Sequence, residues 1–353
     1  ANLTGTVVDA RISALTASKL TGDLPAISGV NVTNVHAVNS GRKNLIINGG
    51  MQVWQRGATS SGGGGYRVDR FKPEPRSGTT IGWDRSTDVP TGYGFAYSSR
   101  IYATNSTDDG FHWYTSVELP SAGNVGLFAA GTAMVLSFWA KSVYGGAVNP
   151  KIALATGVGG ATYTNWVDST EGSTSIPTSW TKLTFNYTMP TWTMGAGSLS
   201  SVTSANIRHL MGGNDTPQDV YITGVQLEVG SVATDFEHRS YGEELALCQR
   251  YFWRTTGDNY AGIASGHVRN SNDIRVVIPN PVPMRANPTL SISGTLRGNA
   301  GANTIDITVI NSSWTGKVSS MAEFNQSGLT AGYGVILHHL NNTSNYLQMD
   351  SEL

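Results

Sequence analysis

Aromatic side chains stand beside amides, carboxylates and guanidinium groups at several points along this chain, and such pairs can do the chemistry of sugar recognition. Flat rings stack on the C–H faces of a pyranose, while amides, acids and hydroxyls bond its oxygens in a shallow groove. In the first two thirds the pairs are Trp83 with Asp84 and Arg85, Tyr93 and Tyr97 in a glycine-rich run, His112-Trp113-Tyr114, and Tyr163 with Asn165 and Trp166. Nearer the C-terminus come Trp314, Tyr333, His338, His339 and Tyr346. The candidate carbohydrate contacts are therefore Trp83, Asp84, Tyr93, Trp113, Tyr163, Trp166, Trp314, Tyr333, His338 and Tyr346. The competing use of any one ring is to fill a core. Trp139, inside a strongly apolar strand, is assigned to the core outright.

Hydrolysis of a glycan needs two carboxylates facing across a cleft, one with a raised pKa. Close acids occur as Asp84 with Asp88, Asp108 with Asp109 and Asp168 with Glu171, all in polar stretches that read as turns. Neither a Gly-x-Ser-x-Gly nor a His-Glu-x-x-His motif is present. No catalytic residue and no cofactor is expected. His338 and His339, adjacent on a strand, point to opposite faces and cannot share a metal within one chain. One histidine from each chain could meet on a threefold axis, but no second ligand spacing accompanies them, so polar packing is the favoured reading and no metal is expected. The Asp spacing is not diagnostic of calcium.

Composition narrows the class. Charged residues make up 13% of 353, against about 25% in an average globular domain, and the net charge is −1. Without a basic surplus or basic run, nucleic acid is a poor partner. A single cysteine, Cys248, excludes an intrachain disulfide and reads as a small buried apolar group. No run of about 18 apolar residues occurs and residues 1–20 do not read as a signal peptide, so a soluble chain without an export tag is expected. Lacking an initiating Met, the chain is expected to be a processed form or a fragment.

Residues 1–40 repeat Leu-Thr-Gly and Val-Thr-Asn steps with no aromatic residue. Such a segment cannot build its own core, and an intertwined trimeric stalk would satisfy it. From 41 to 236 the pattern is β: Leu183, Phe185, Tyr187 and Met189 alternate with polar residues, and similar runs occupy Ala133 to Lys141 and Val220 to Val229. Glycine-rich joints separate the runs, as a sandwich requires. A helix is expected from Ser240 or Tyr241 to about Trp253, capped by Ser240 with Glu243 and burying Tyr241, Leu245, Cys248 and Phe252. It would form a connector at 237–254, followed by a β-sandwich tip domain at 255–353 in which Ile305, Ile307 and Val309 alternate. The expected fold class is mainly β: trimeric stalk, jelly-roll sandwich, short helix and C-terminal sandwich.

Longer ordered runs add a resemblance. NLIINGGMQVWQRG at 44–57, RVDRF at 67–71, GVQLEVGSVATDFEHRSYGEELALCQRYF at 224–252, IPNPVPMRANPTL at 278–290 and the terminal LQMDSEL together resemble the receptor-binding region of bacteriophage tail fibres. The segment opening with NLIINGG and closing with VQLEVGSVATDF is also similar to jelly-roll carbohydrate-binding modules. The resemblance implies a homotrimer at the distal end of a virion's tail fibre, joined to upstream fibre or adaptor proteins. It would attach to bacterial surface polysaccharide, lipopolysaccharide or capsule, or to an outer-membrane receptor. It carries over an architecture and no fixed set of contacts. A polysaccharide depolymerase and a purely structural fibre segment are the alternatives.

Overall fold

A computed structural model describes residues 42–61, 65–75, 80–103, 111–156, 162–194, 198–211, 219–255, 260–301, 303–340 and 344–352. The expected stalk at 1–40 lies outside the described residues. Residues 42–353 constitute one compact unit.

Period-2 alternation builds the first sandwich. Its strands are β1 (Thr59–Ser61), β2 (Phe71–Pro75), β3 (Ile81–Ser86), β4 (Ser98–Ala103), β5 (Phe111–Glu118), β6 (Ala133–Ser142), β7 (Ala147–Thr156), β8 (Thr162–Tyr163), β9 (Val167–Asp168), β10 (Thr174–Ser175), β11 (Thr181–Thr188), β12 (Ser204–Met211) and β13 (Asp219–Val229). They pair antiparallel in the orders β1-β3-β4-β13-β6-β11 and β10-β7-β12-β5-β2. Within them β4-β13-β6-β11 faces β5-β12-β7-β10, and every step between consecutive strands of this set except β7 to β10 crosses between the sheets, in the double Greek key of a jelly roll. Met134, Leu136 and Phe138 of β6 meet Leu183, Phe185 and Tyr187 of β11 and Phe111 and Trp113 of β5 in one core. Phe138 stacks on Phe185 at 5.6 Å, and Phe71 on Trp113 at 4.8 Å.

One helix, α1 (Tyr241–Gln249), follows, and the Ser240 side chain accepts from the Glu243 N–H as its sequence predicts. It ends short of Trp253 because β14 (Phe252–Arg254) must extend to pair with β23 (Tyr346–Asp350). Its buried side is Glu244 and Cys248, whereas Tyr241, expected in the core, is exposed. The remaining strands are β15 (Gly262–Asn270), β16 (Asp273–Pro279), β17 (Thr289–Ser293), β18 (Leu296–Ala300), β19 (Asn303–Ile307), β20 (Ser312–Thr315), β21 (Ser319–Asn325) and β22 (Gly334–His338). A three-stranded sheet β14-β23-β17 and a seven-stranded sheet β19-β18-β22-β15-β16-β21-β20 share a second core of Ile274, Val276, Phe324, Leu337, Leu347 and Met349. Ile305 and Ile307 join that core, but Val309 lies beyond the end of β19 and is exposed.

The runs that carry the family resemblance converge at the seam between the two cores. Leu45 donates its N–H to the Leu227 carbonyl and Val225 to that of Gly49, and a Cβ on Gly49 would meet the Val225 carbonyl oxygen at 2.0 Å, so only glycine fits. Asn48, with φ of 60°, accepts from the Gln52 and Val53 N–H groups and donates to the Val53 and Asp69 carbonyls. Its own N–H donates to Glu244 of α1, and Arg239 bonds Glu244 and the Asn44 and Ile46 carbonyls. Arg70, 1% exposed, pairs with Glu352, lies 3.5 Å over the ring of Tyr251 and donates to the Ser116 carbonyl. Arg56 bridges Asp69 and Glu352 and covers the Phe252 ring.

Glu352→Gln leaves the Arg70 charge buried with its main partner neutralised, and is expected to lower unfolding free energy by about 3–5 kcal/mol in urea titrations. Replacing both partners with apolar residues, Arg70→Met with Glu352→Leu, should cost far less than the single change.

Candidate functional site

Where the end of the jelly roll, α1 and the second sandwich meet, a half-open cleft of about 990 Å³ remains, within the range of ligand sites. The turn after the Asn48 loop supplies Gln52, Trp54 and Gln55; β3 and the run before β4 supply Arg85, Ala96 and Tyr97. Tyr241, Leu245 and Gln249, four residues apart on α1, make one wall, and Trp253, Arg254, Thr255, residues 261–263 and His339 make the other. The chemistry is rings, amides and guanidinium groups, with no carboxylate among the described lining residues.

Trp54 and Gln55 are held from behind. The Trp54 indole donates to the Met51 carbonyl at 2.6 Å. Gln55 donates its backbone and side-chain N–H groups to Asp69, and the same amide reaches the Phe252 carbonyl. Asp69, fully buried behind Gln55, has its pKa pushed up to about 6 by burial, against the pull of Arg56 and the Gln55 donors. The Arg85 guanidinium lies 4.6 Å from the Tyr97 ring centroid and that of Arg254 lies 4.4 Å from Tyr346. Inward parity explains Arg85: it follows Ile81 and Trp83 on the core face of β3, but at the strand end, where the sandwich opens into the cleft.

The expected contacts scatter. Trp83 (2% exposed) and Trp113 (0%) are core residues, because strand parity turns both inward, and neither can touch a ligand. His338 is also buried: its Nδ1 donates to the His339 carbonyl at 2.9 Å, which leaves Nε2 to accept from Asn299. His339 is buried as well, its Nδ1 bonded to the Asn345 carbonyl, yet its edge reaches the cleft wall. Asp84 and Tyr93 lie on the outer face of the first sheet, Asp84 beside Arg100 at 3.9 Å and Tyr93 against Trp139 at 4.2 Å. Trp139 is consequently only partly buried, out of phase with Phe138 and in phase with Lys141, not the core residue its apolar neighbours suggest. Trp166 is on the opposite sheet beneath Arg208 at 4.1 Å, and the side chain of Tyr163 lies outside the described set. Trp314 (50% exposed) and Tyr333 are on the second sandwich, while half-buried Tyr346 underlies Arg254 at the cleft's edge.

The close acids are tied down separately. Asp88 bonds Lys141 and Trp180, which outweigh burial and hold it below the usual carboxylate range. Glu171 is likewise lowered, its burial overcome by the Asn186 N–H groups, and Asp168 pairs with Lys151 at 2.7 Å. Asp108 and Asp109 lie outside the described residues. Among the described residues no group of three or more metal-ligating side chains occurs.

Sequence reasoning named Arg85 and Tyr97 beside its candidates but missed Gln52, Trp54, Gln55, Tyr241, Gln249 and Trp253. Two signals were there: the Gln-Val-Trp-Gln run, and a helix whose Tyr241, Leu245 and Gln249 recur every fourth residue.

No family model matches the chain, and no curated protein matches it. Among solved structures it is similar to the family 11 carbohydrate-binding module from Clostridium thermocellum in complex with a mixed-linked tetrasaccharide, at 15% identity over 49% of this chain and 98% of that one, TM-score 0.29. It is similar to the CBM22-1 xylan-binding domain from Paenibacillus barcinonensis at 12% identity over 54% and 96%, TM-score 0.32. It is also similar to the enzymatically active domain of tailspike protein 4 from bacteriophage CBA120, at 14% identity over 53% of this chain and 21% of that chain, TM-score 0.32. The jelly-roll assignment rests on the strand order and not on these likenesses.

Asp69 binds its proton more readily folded than unfolded, so its contribution to stability is full below about pH 3.9 and is lost as the pH rises through about 6. Relative to Asp69→Asn, the native chain should therefore gain stability on acidification from pH 7 to 4, by at most about 3 kcal/mol, in paired chemical denaturation series.

Proposed function

We propose that the protein is a glycan-binding attachment module of a bacteriophage tail fibre, acting as a homotrimer on bacterial lipopolysaccharide or capsule and joined to upstream fibre proteins. The observation that carries the binding reading is the cleft: four aromatic residues, Trp54, Tyr97, Tyr241 and Trp253, interleaved with the amides of Gln52, Gln55 and Gln249 in one concavity. Rings supply stacking faces and amides read hydroxyl positions, the division of labour that sugar recognition requires. A binding role without hydrolysis fits a lining built from donors and rings, since glycosidic cleavage calls for an acid and a second carboxylate across the bond. The phage setting and the outer-membrane or polysaccharide receptor rest on the sequence resemblance. Three clefts on one rigid trimer would share an effective concentration, so weak single sites would suffice for adsorption.

The labelled protein is expected to bind bacterial strains selectively and to lose binding on mutants lacking surface polysaccharide, without release of reducing sugar. Sugar release would move the account to a depolymerase, and no binding to any strain would leave a structural fibre segment. Tyr241→Ala, at a position 57% exposed, should weaken glycan binding about fivefold while leaving the melting temperature unchanged, one aromatic contact being worth roughly 1 kcal/mol.

A further inference from the structure

We propose that the cleft takes an anionic ligand: a glycan segment bearing a carboxylate or a phosphate, gripped by Arg85 and Arg254. This rests on the glycan-binding reading of the same cleft. Arginines elsewhere in the fold are largely committed to acids: Arg100 to Asp219, Arg239 to Glu244, Arg250 to Glu118, Arg275 to Glu323 and Arg297 to Asp306. Arg85 and Arg254 have no carboxylate within ion-pair distance among the described residues, and both line the cleft.

The fold keeps acids away from both. Asp84, the neighbour of Arg85 in sequence, points to the other face of β3 and is taken by Arg100. Arg254 stands opposite Gln348 in β23, while the nearby Asp350 and Glu352 are taken by Arg56 and Arg70. A guanidinium lying on an aromatic face, as both do, is oriented without being neutralised, and its planar fork matches a carboxylate or phosphate with two parallel hydrogen bonds. With two guanidinium groups and no carboxylate among its described lining residues, the cleft is a positively charged concavity in a chain of net charge −1.

The test uses the whole protein and two probes, a uronate-bearing capsular polysaccharide and a phosphorylated lipopolysaccharide core oligosaccharide. Each is titrated calorimetrically before and after charge removal, by carboxyl reduction or dephosphorylation. The native protein should bind at least one charged form about tenfold or more tighter than its neutralised form, and the probe that shows the difference identifies carboxylate or phosphate. Arg85→Gln, an exposed change, and Arg254→Gln should each reduce that preference, and together abolish it, with melting temperatures confirming that the variants fold. Equal binding of charged and neutralised forms by the native protein, or undiminished preference in the double variant, would overturn the proposal while leaving glycan binding intact. Binding to none of the four preparations would overturn the glycan reading itself.

Discussion

A guanidinium sealed from water at the seam between two β-sandwiches is the constraint on which the rest depends. Arg70 joins the start of β2 to Glu352 near the end of the described chain, with Tyr251 beneath it. A buried charge tolerates little looseness, because its attraction to a partner repays desolvation only at close range and in fixed geometry. Arg56, Asp69 and Gln55 extend the same network, so the loop after Asn48, the end of α1, β14 and the C-terminal strand settle in one arrangement. The cleft is the gap left at the rim of that arrangement. Its Gln55 amide is oriented by Asp69, and its Arg254, resting on Tyr346 and donating to the Arg56 carbonyl, has no carboxylate partner among the described residues, Asp350 and Glu352 being engaged by Arg56 and Arg70.

Much of the scaffold was legible in the sequence, since alternation is a local consequence of strand geometry. Leu183, Phe185 and Tyr187 point into the first core as their spacing predicts, and Ser240 caps α1. The same rule, applied to polarity of neighbours and not to parity, misplaced the tryptophans. Trp83 looked accessible because Asp84 and Arg85 follow it, yet it shares parity with Ile81; Trp139 looked buried because Leu136 and Phe138 precede it, yet it shares a face with Lys141. In both strands the phase of the alternation decides burial, and the phase follows from the most apolar register across the whole strand.

The cleft was not legible, because its walls come from positions near 52, 85, 97, 241–255, 262 and 339, brought together only by long-range closure. No window of sequence contains them. The runs that resemble tail fibres proved to be the seam itself: Asn44, Asn48, Arg70, Arg239, Glu244, Tyr251 and Glu352 hold the junction, and such residues are constrained by one another whatever is bound nearby.

Hydrogen–deuterium exchange of the whole protein, with and without a surface polysaccharide from a strain it binds, would show whether this junction forms the ligand site. Protection should concentrate in peptides spanning 52–55, 96–97, 241–255 and 261–263 around the cleft. Protection confined to the outer faces of β4, β6 and β13 or to β20–β22, with the cleft peptides unchanged, would contradict it.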